Sequence, residues 1–301
     1  MTHEHDYDDA ELLTTDRGPT VLRIALGSRL RGLRENCGIS RVAAGEAIRG
    51  SHAKITRLEL GQTSSKERDI RDLLTLYGVD DPDQREVYLQ VARRANQPAW
   101  WQTYNDLLPS WFETYLGLEQ AAATIRTYEP QFIPGLLQTA DYARSIVSTG
   151  DPDQTERRVA MRLRRQQILA RREAPTVWAI IDESALRRPV GGEHVLRDQV
   201  DHLLDAAEKF PNVRIQVLPF SAGGSASPGC PFSILRFPEP ELTDIVYTEQ
   251  LTSSVYLDKQ HDVQAYMSVI NRLSVQALPP KSSTEFLVEL RAGLADRPEA
   301  P

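Results

Sequence analysis

The chain has 301 residues, enough for two domains, and its 41% hydrophobic content supports packed cores. No apolar run approaches the ~18 residues of a membrane span, which excludes a helical membrane protein from the reading. The net charge of −7 and the pI near 5.5 argue against a non-specific nucleic-acid coat. That charge is uneven. Residues 1–19 carry six acids and one Arg, residues 20–97 carry fourteen bases and ten acids, and the remainder is acidic. Within 20–65 there are eight bases against three acids, the footprint expected of a basic module on an acidic body.

The N-terminus, MTHEHDYDDAELL, is acidic and has no apolar core, so it reads as a disordered tail (1–19) rather than a secretory signal. Cys37 and Cys230 are the only cysteines, and we expect both to be free thiols in a cytoplasmic protein.

Leu22, Leu26, Leu30 and Leu33 recur at helical spacing and predict a first helix that stops at Asn36-Cys37-Gly38. Ser40 is a suitable N-cap for a helix over Arg41–Ile48, and Ser51 for another over His52–Leu60. Helices over Glu67–Tyr77 and Asp83–Asn96 follow. Two short helices joined by Arg49-Gly50 form a helix-turn-helix. Val42, Ala44, Ile48, Ile55 and Leu58 are expected inside. His52, Ala53, Lys54, Thr56 and Arg57 are expected outside, where the start of the second helix meets base edges.

Residues 98–109, with Trp100 and Trp101, read as a linker, the tryptophans packing the fifth helix onto the body. The body spans 110–295, with a tail at 296–301. Its order is a helix from Ser110, a strand at Thr124–Tyr128 and a helix from Pro134. Then come an Arg-rich helix over Thr155–Arg172, a strand at Thr176–Asp182 and a helix over Glu193–Phe210. Strands at Val213–Pro219, Phe232–Phe237, Asp244–Glu249 and Ser254–Leu257 precede helices at Gln260–Ala277 and Ser282–Ala295. The last three strands read as a meander with turns at Pro238–Leu242 and Leu251–Ser253. Helices, then clustered strands, then helices indicate α+β with a mainly antiparallel sheet rather than regular βαβ winding.

Over residues 23–78, the motifs LRGLRENCGIS, Ala44-Gly45-Glu46, ITRLELGQ and LLTLYGV resemble the Cro/lambda-repressor-like (Xre-type) headpiece, a five-helix all-α domain, which places a helix-turn-helix domain at 20–97. The resemblance implies a structural ion pair between Arg34 and Glu59. It implies base reading by His52, Ala53 and Arg57, with phosphate contacts from Arg41, Ser51 and Lys54. Arg57 suits a bidentate contact to guanine, His52 a purine edge, and Ala53 a thymine methyl. The segments YEPQFIPGLLQTADYAR, RRPVGG, LPF and VYTEQLTSSVYLDK resemble the C-terminal domain of actinobacterial antitoxin-like regulators. That resemblance implies regulation or partner binding, with a small genomically adjacent protein as the companion. It carries no enzymatic activity.

Other chemistry finds little support. Asp182-Glu183 at a strand end could be an acid/base pair, but neighbours on a strand point to opposite faces, and Asp182 suits a cap. Gly191-Gly192 and Gly223-Gly224 fit no phosphate-binding pattern. His194 and His202 stand about 12 Å apart along a helix, too far for one metal. His3, His5, Asp6 and Asp8 read as tail. Cys230 has no His motif. The face carrying Arg158, Arg162 and Arg165 is a candidate surface for an acidic partner or DNA. A small-ligand cleft, if present, is sought near Pro228–Pro231, Trp178 and Tyr247.

The expectation is a homodimeric, sequence-specific transcriptional regulator that binds a double-stranded DNA operator, with no cofactor, metal or catalytic residue and no membrane association. The alternative is an antitoxin-like protein acting mainly by masking a partner. An enzyme is the third reading.

Overall fold

The computed structural model describes residues 18–295 apart from 62, 149, 224–228 and 239–241. The acidic segment 1–17, the tail 296–301, Pro228 and the centre of the Pro238–Leu242 turn lie outside the described residues. The chain groups into two units. One holds the described residues up to Thr103 together with Glu113–Ala121; the other holds Tyr104–Phe112 and the residues from Ala122 onward.

The N-terminal unit is helical. Its elements are α1 (Pro19–Asn36), α2 (Arg41–Ala47), α3 (His52–Glu59), α4 (Glu67–Leu76) and α5 (Pro82–Ala95). Their starts follow local chemistry. Ser40 accepts from Ala43 N (3.2 Å), Ser51 from Lys54 N (3.3 Å) and Asp81 from Asp83 N (3.1 Å). Proline occupies a first-turn position in α1 and α5, where its missing N–H costs nothing. Leu22, Leu26 and Leu30 of α1 close over Ile48, Ile55, Leu58, Ile70, Leu73 and Leu89 to make one core.

A sixth helix, α6 (Ser110–Ala121), divides: its residues Glu113–Ala121 belong with the N-terminal unit. Gly117 sits so close to Thr20 that a Cβ there would collide with the threonine side chain. The sequence places a boundary at 110, because α6 runs into the next strand almost without a break. Nothing local reports which core a helix joins. The expected linker 98–109 is also partly folded. Trp100–Tyr104 is a 3-10 turn with Trp101 buried and set edge-on to Trp100 at 5.6 Å.

The C-terminal unit is built on six strands: β1 (Thr124–Glu129), β2 (Thr176–Asp182), β3 (Val213–Leu218), β4 (Phe232–Arg236), β5 (Ile245–Glu249) and β6 (Ser254–Leu257). Their order is β3-β2-β1-β4-β5-β6. The β4–β5 and β5–β6 pairings are antiparallel, as the meander implied, and β1–β4 is antiparallel as well. The β1–β2 and β2–β3 pairings are parallel. Parallel neighbours need long crossovers. These are α7 (Ala140–Val147) with α8 (Pro152–Gln166), then α9 (Glu183–Arg187) with α10 (Glu193–Lys209). Helix α11 (Gln260–Gln276) packs on the sheet through Ile270 and Leu273, and α12 (Pro280–Ala295) lies against β3 and α10.

Two starts differ from the sequence reading. Pro134 leads into a 3-10 turn, Gly135–Leu137, and α7 begins only at Ala140, where Thr139 accepts from Tyr142 N (3.3 Å). Helix α8 begins at Pro152, ahead of Thr155, because Asp151 accepts from the N–H groups of Asp153 and Gln154.

Candidate nucleic-acid interface

Helix α3 is held at both ends by glycines. A Cβ on Gly45 of α2 would lie 2.9 Å from the Ser51 carbonyl carbon and 3.1 Å from His52 N. A Cβ on Gly27 of α1 would collide with the carbonyls of Leu58 and Glu59. Backbone therefore packs on backbone at each end, which fixes the pose of α3 more tightly than side-chain contact would. Between these points Ile55 and Leu58 are buried on Ala44 and Ile48. Val42, expected inside, is 57% exposed. It precedes buried Ala44 by two residues, about 200° around the helix, so the phase that buries Ala44 and Ile48 turns Val42 outward.

The charged residues sort into paired and unpaired groups. Glu59 is buried and joins two arginines: Arg34 Nε donates to Oε1 at 2.5 Å and Arg41 Nε to Oε2 at 3.0 Å. Arg34 also donates to the Ile39 carbonyl (3.0 Å), and the bond to Glu59 raises its pKa further. The ion pair implied by resemblance is thus present, with Arg41 added. Asp69 of α4 is fully buried and pairs Lys54 Nζ with Oδ2 at 2.5 Å and Arg68 with Oδ1 at 3.4 Å. Arg41 and Lys54, read as phosphate contacts, are therefore already committed to internal acids. Sequence inspection missed these links because the acids sit 15 and 18 residues away.

His52, Ala53 and Arg57 are exposed, and Arg57 makes no ion pair among the described residues. Ser51 is exposed at the cap, its oxygen engaged by Lys54 N. Arg49 was overlooked. It lies in the turn into α3, exposed, at φ +53, with its guanidinium unpaired among the described residues. A non-glycine residue in the left-handed region is uncommon and carries strain, the only available signal being its place before Gly50.

Residues 25–87 match a family described as a helix-turn-helix domain. That domain marks the chain as a DNA-binding regulator. Residues 112–289, more than half of the chain, match the family described as a domain of unknown function, DUF5753. The chain belongs to the DUF5753 family. No curated protein and no solved structure matches it. Among the described residues, no helix is long and apolar enough to cross a membrane.

Within the DUF5753 domain, the acid pair at the end of β2 is structurally occupied. Asp182 caps α9 through Ser184 N (2.9 Å) and accepts from Tyr128 Oη (3.2 Å). Glu183 pairs with Arg187 (2.6 Å) and accepts from Phe220 N (2.8 Å). Trp178 and Tyr247 cannot line one cleft. Register aligns Trp178 with Arg126, Ile234 and Val246, and Tyr247 with Ser233 and Thr127, one residue out of phase and so on the opposite face.

Arg158, Arg162 and Arg165 of the DUF5753 domain are not the solvated surface expected for an acidic partner. Arg165 is buried, its guanidinium 5.6 Å over the Phe112 ring. Arg158 and Arg162 are half-buried, whereas Arg157 and Arg164 on the same helix are exposed. The reason is phase. Residues 158, 162 and 165 follow the stripe that also buries Met161 and Thr155.

Proposed function

We propose that this DUF5753-family chain is a sequence-specific, Xre-type transcriptional regulator that binds an operator as a homodimer. In this reading α3 enters the major groove with His52, Ala53 and Arg57 at base edges, and Arg49 and Ser51 hold phosphates. The observation that carries it is an exposed Arg57, unpaired among the described residues, on a helix fixed by Gly27, Gly45 and the Arg34–Glu59 pair. A reader must be rigid in its backbone and free in its tip. The DUF5753 domain modulates binding through a ligand or the small adjacent protein, and we assign it no catalytic step because Asp182 and Glu183 are bound up in helix α9.

The test is selection of bound fragments from genomic DNA, followed by footprinting on the chain's own upstream region. Recovery of a pseudo-palindrome with half-sites about one helical turn apart supports the reading. Failure to enrich any sequence overturns it.

One observation favours a second reading, an antitoxin-like protein that mainly masks a partner: internal pairing of Arg41 and Lys54 leaves few free cations for phosphates. Capture of the adjacent small protein by the isolated DUF5753 domain, with no operator found, would support it.

A further inference from the structure

We propose that Arg158, Arg162, Glu129 and Ser254 form a binding site for a small oxyanion, a carboxylate or phosphate group, on the α8 side of the DUF5753 sheet. The regulatory meaning of such a site rests on the function proposed above; the site itself does not.

Register and pleat assemble it. Thr127 aligns with Ser233, Ser233 with Tyr247, and Glu249 with Ser254. Side chains two apart along a strand share a face, so Glu129, Tyr247, Glu249 and Ser254 all lie on one face. Glu129 and Glu249 are the last residues of β1 and β5, which run the same way, so both stand at the same end of the sheet. The arginines of α8 reach this corner: Arg162 senses the charge of Glu249, and Arg165 that of Glu129.

The hydrogen bonding there is incomplete in a particular way. The Arg162 guanidinium makes no hydrogen bond or ion pair among the described residues, although burial, with Arg165 and Arg158 beside it, pushes its pKa down to about 10. Arg158 Nε and Ser254 Oγ are sealed from solvent with no partner among the described residues. The Glu129 carboxyl has no hydrogen bond among the described residues either, and burial, with Glu249 next to it, pushes it up to about 8. A purely structural cluster would pair these opposite charges, as Arg34 and Glu59 do. Two guanidinium groups, a hydroxyl and the Glu129 carboxyl, held protonated at neutral pH, are instead unpaired donors at this corner among the described residues, while the Glu249 carboxylate there is engaged by Tyr247 Oη (2.9 Å). Convergent donors fit an oxyanion, and guanidinium forks favour carboxylate and phosphate geometry. Their half-buried position suits a small ligand rather than a flat protein surface.

The test is calorimetric titration of the full chain, without DNA, with sodium phosphate and separately with succinate. The buffer is Bis-Tris chloride, and sodium chloride is the ionic-strength control. Saturable binding tighter than about 10 mM is expected for at least one probe. Arg162→Gln should weaken it at least tenfold, Ser254→Ala severalfold, and Arg172→Gln not at all. Ser254→Ala keeps every charge, so it remains informative if Arg162→Gln fails to fold. No saturable binding by either probe, or equal affinity in wild type, Arg162→Gln and Ser254→Ala, overturns the site. Because no DNA is present, this outcome is separable from failure of the DNA-binding reading.

Discussion

Lys54, on the helix proposed to read DNA, is ion-paired to Asp69 of α4, a carboxylate with no exposed surface, at 2.5 Å. A cation at the proposed DNA face is thereby also a structural member of the headpiece. Among the described residues, replacing Lys54 by Met leaves Asp69 with only the 3.4 Å side-chain contact from Arg68. The expected loss is roughly 1–3 kcal/mol of stability, read from urea denaturation of the headpiece. Restoration by the double variant Lys54→Met/Asp69→Leu would show that the stranded acid is the cause. An unchanged midpoint in Lys54→Met would refute the pairing in solution.

Arg57 differs from Lys54 in having no internal partner among the described residues. Arg57→Ala should leave the urea midpoint unchanged while costing about 1–3 kcal/mol of discrimination at one base position. Competition binding against operators varied one position at a time checks this. A uniform loss across all sequences would move Arg57 from the base-reading group to the phosphate group.

Arg49 joins strain to a charge that is unpaired among the described residues. Arg49→Gly relieves the left-handed backbone and should leave stability equal or slightly higher, by less than about 1 kcal/mol. The same change should remove one phosphate contact, lowering the slope of log affinity against log salt by about 0.9. A salt titration compares the two proteins; an unaltered slope would show that Arg49 stays off the DNA.

Glu129 makes stability depend on pH. Its ordinary value of 4.5 rises to about 8 in the fold, chiefly by burial and then by Glu249, with Arg165 opposing. Between those values the folded chain holds a proton that the unfolded chain has released, so stability falls as pH rises through this window and levels off above about 8. Urea midpoints at acidic, neutral and alkaline pH should show this decline in wild type and a flatter profile in Glu129→Gln. Identical profiles would mean that Glu129 ionises normally.

Much of the headpiece was legible from local chemistry. Ser40, Ser51 and the glycines mark helix ends directly, and the stripe Leu22-Leu26-Leu30 reports one buried face. The exposure of His52, Ala53 and Arg57 follows from the same phase. Val42 shows the limit: an apolar residue on a seven-residue helix was assigned inward by type, and geometry turned it out. The partners of Arg41 and Lys54 were invisible for another reason, since an ion pair across 15 or 18 residues leaves no periodic trace.

Residue type and spacing alone determined the two-part layout, the helix-turn-helix and most element boundaries, because caps, turns and amphipathic stripes act within a few residues. Three-dimensional packing alone decided the parallel half of the sheet, the placement of Glu113–Ala121 with the N-terminal helices, and the arginine–glutamate corner. Each of these depends on which distant surfaces meet, and on charges that alter one another's ionisation only after the chain has excluded water between them.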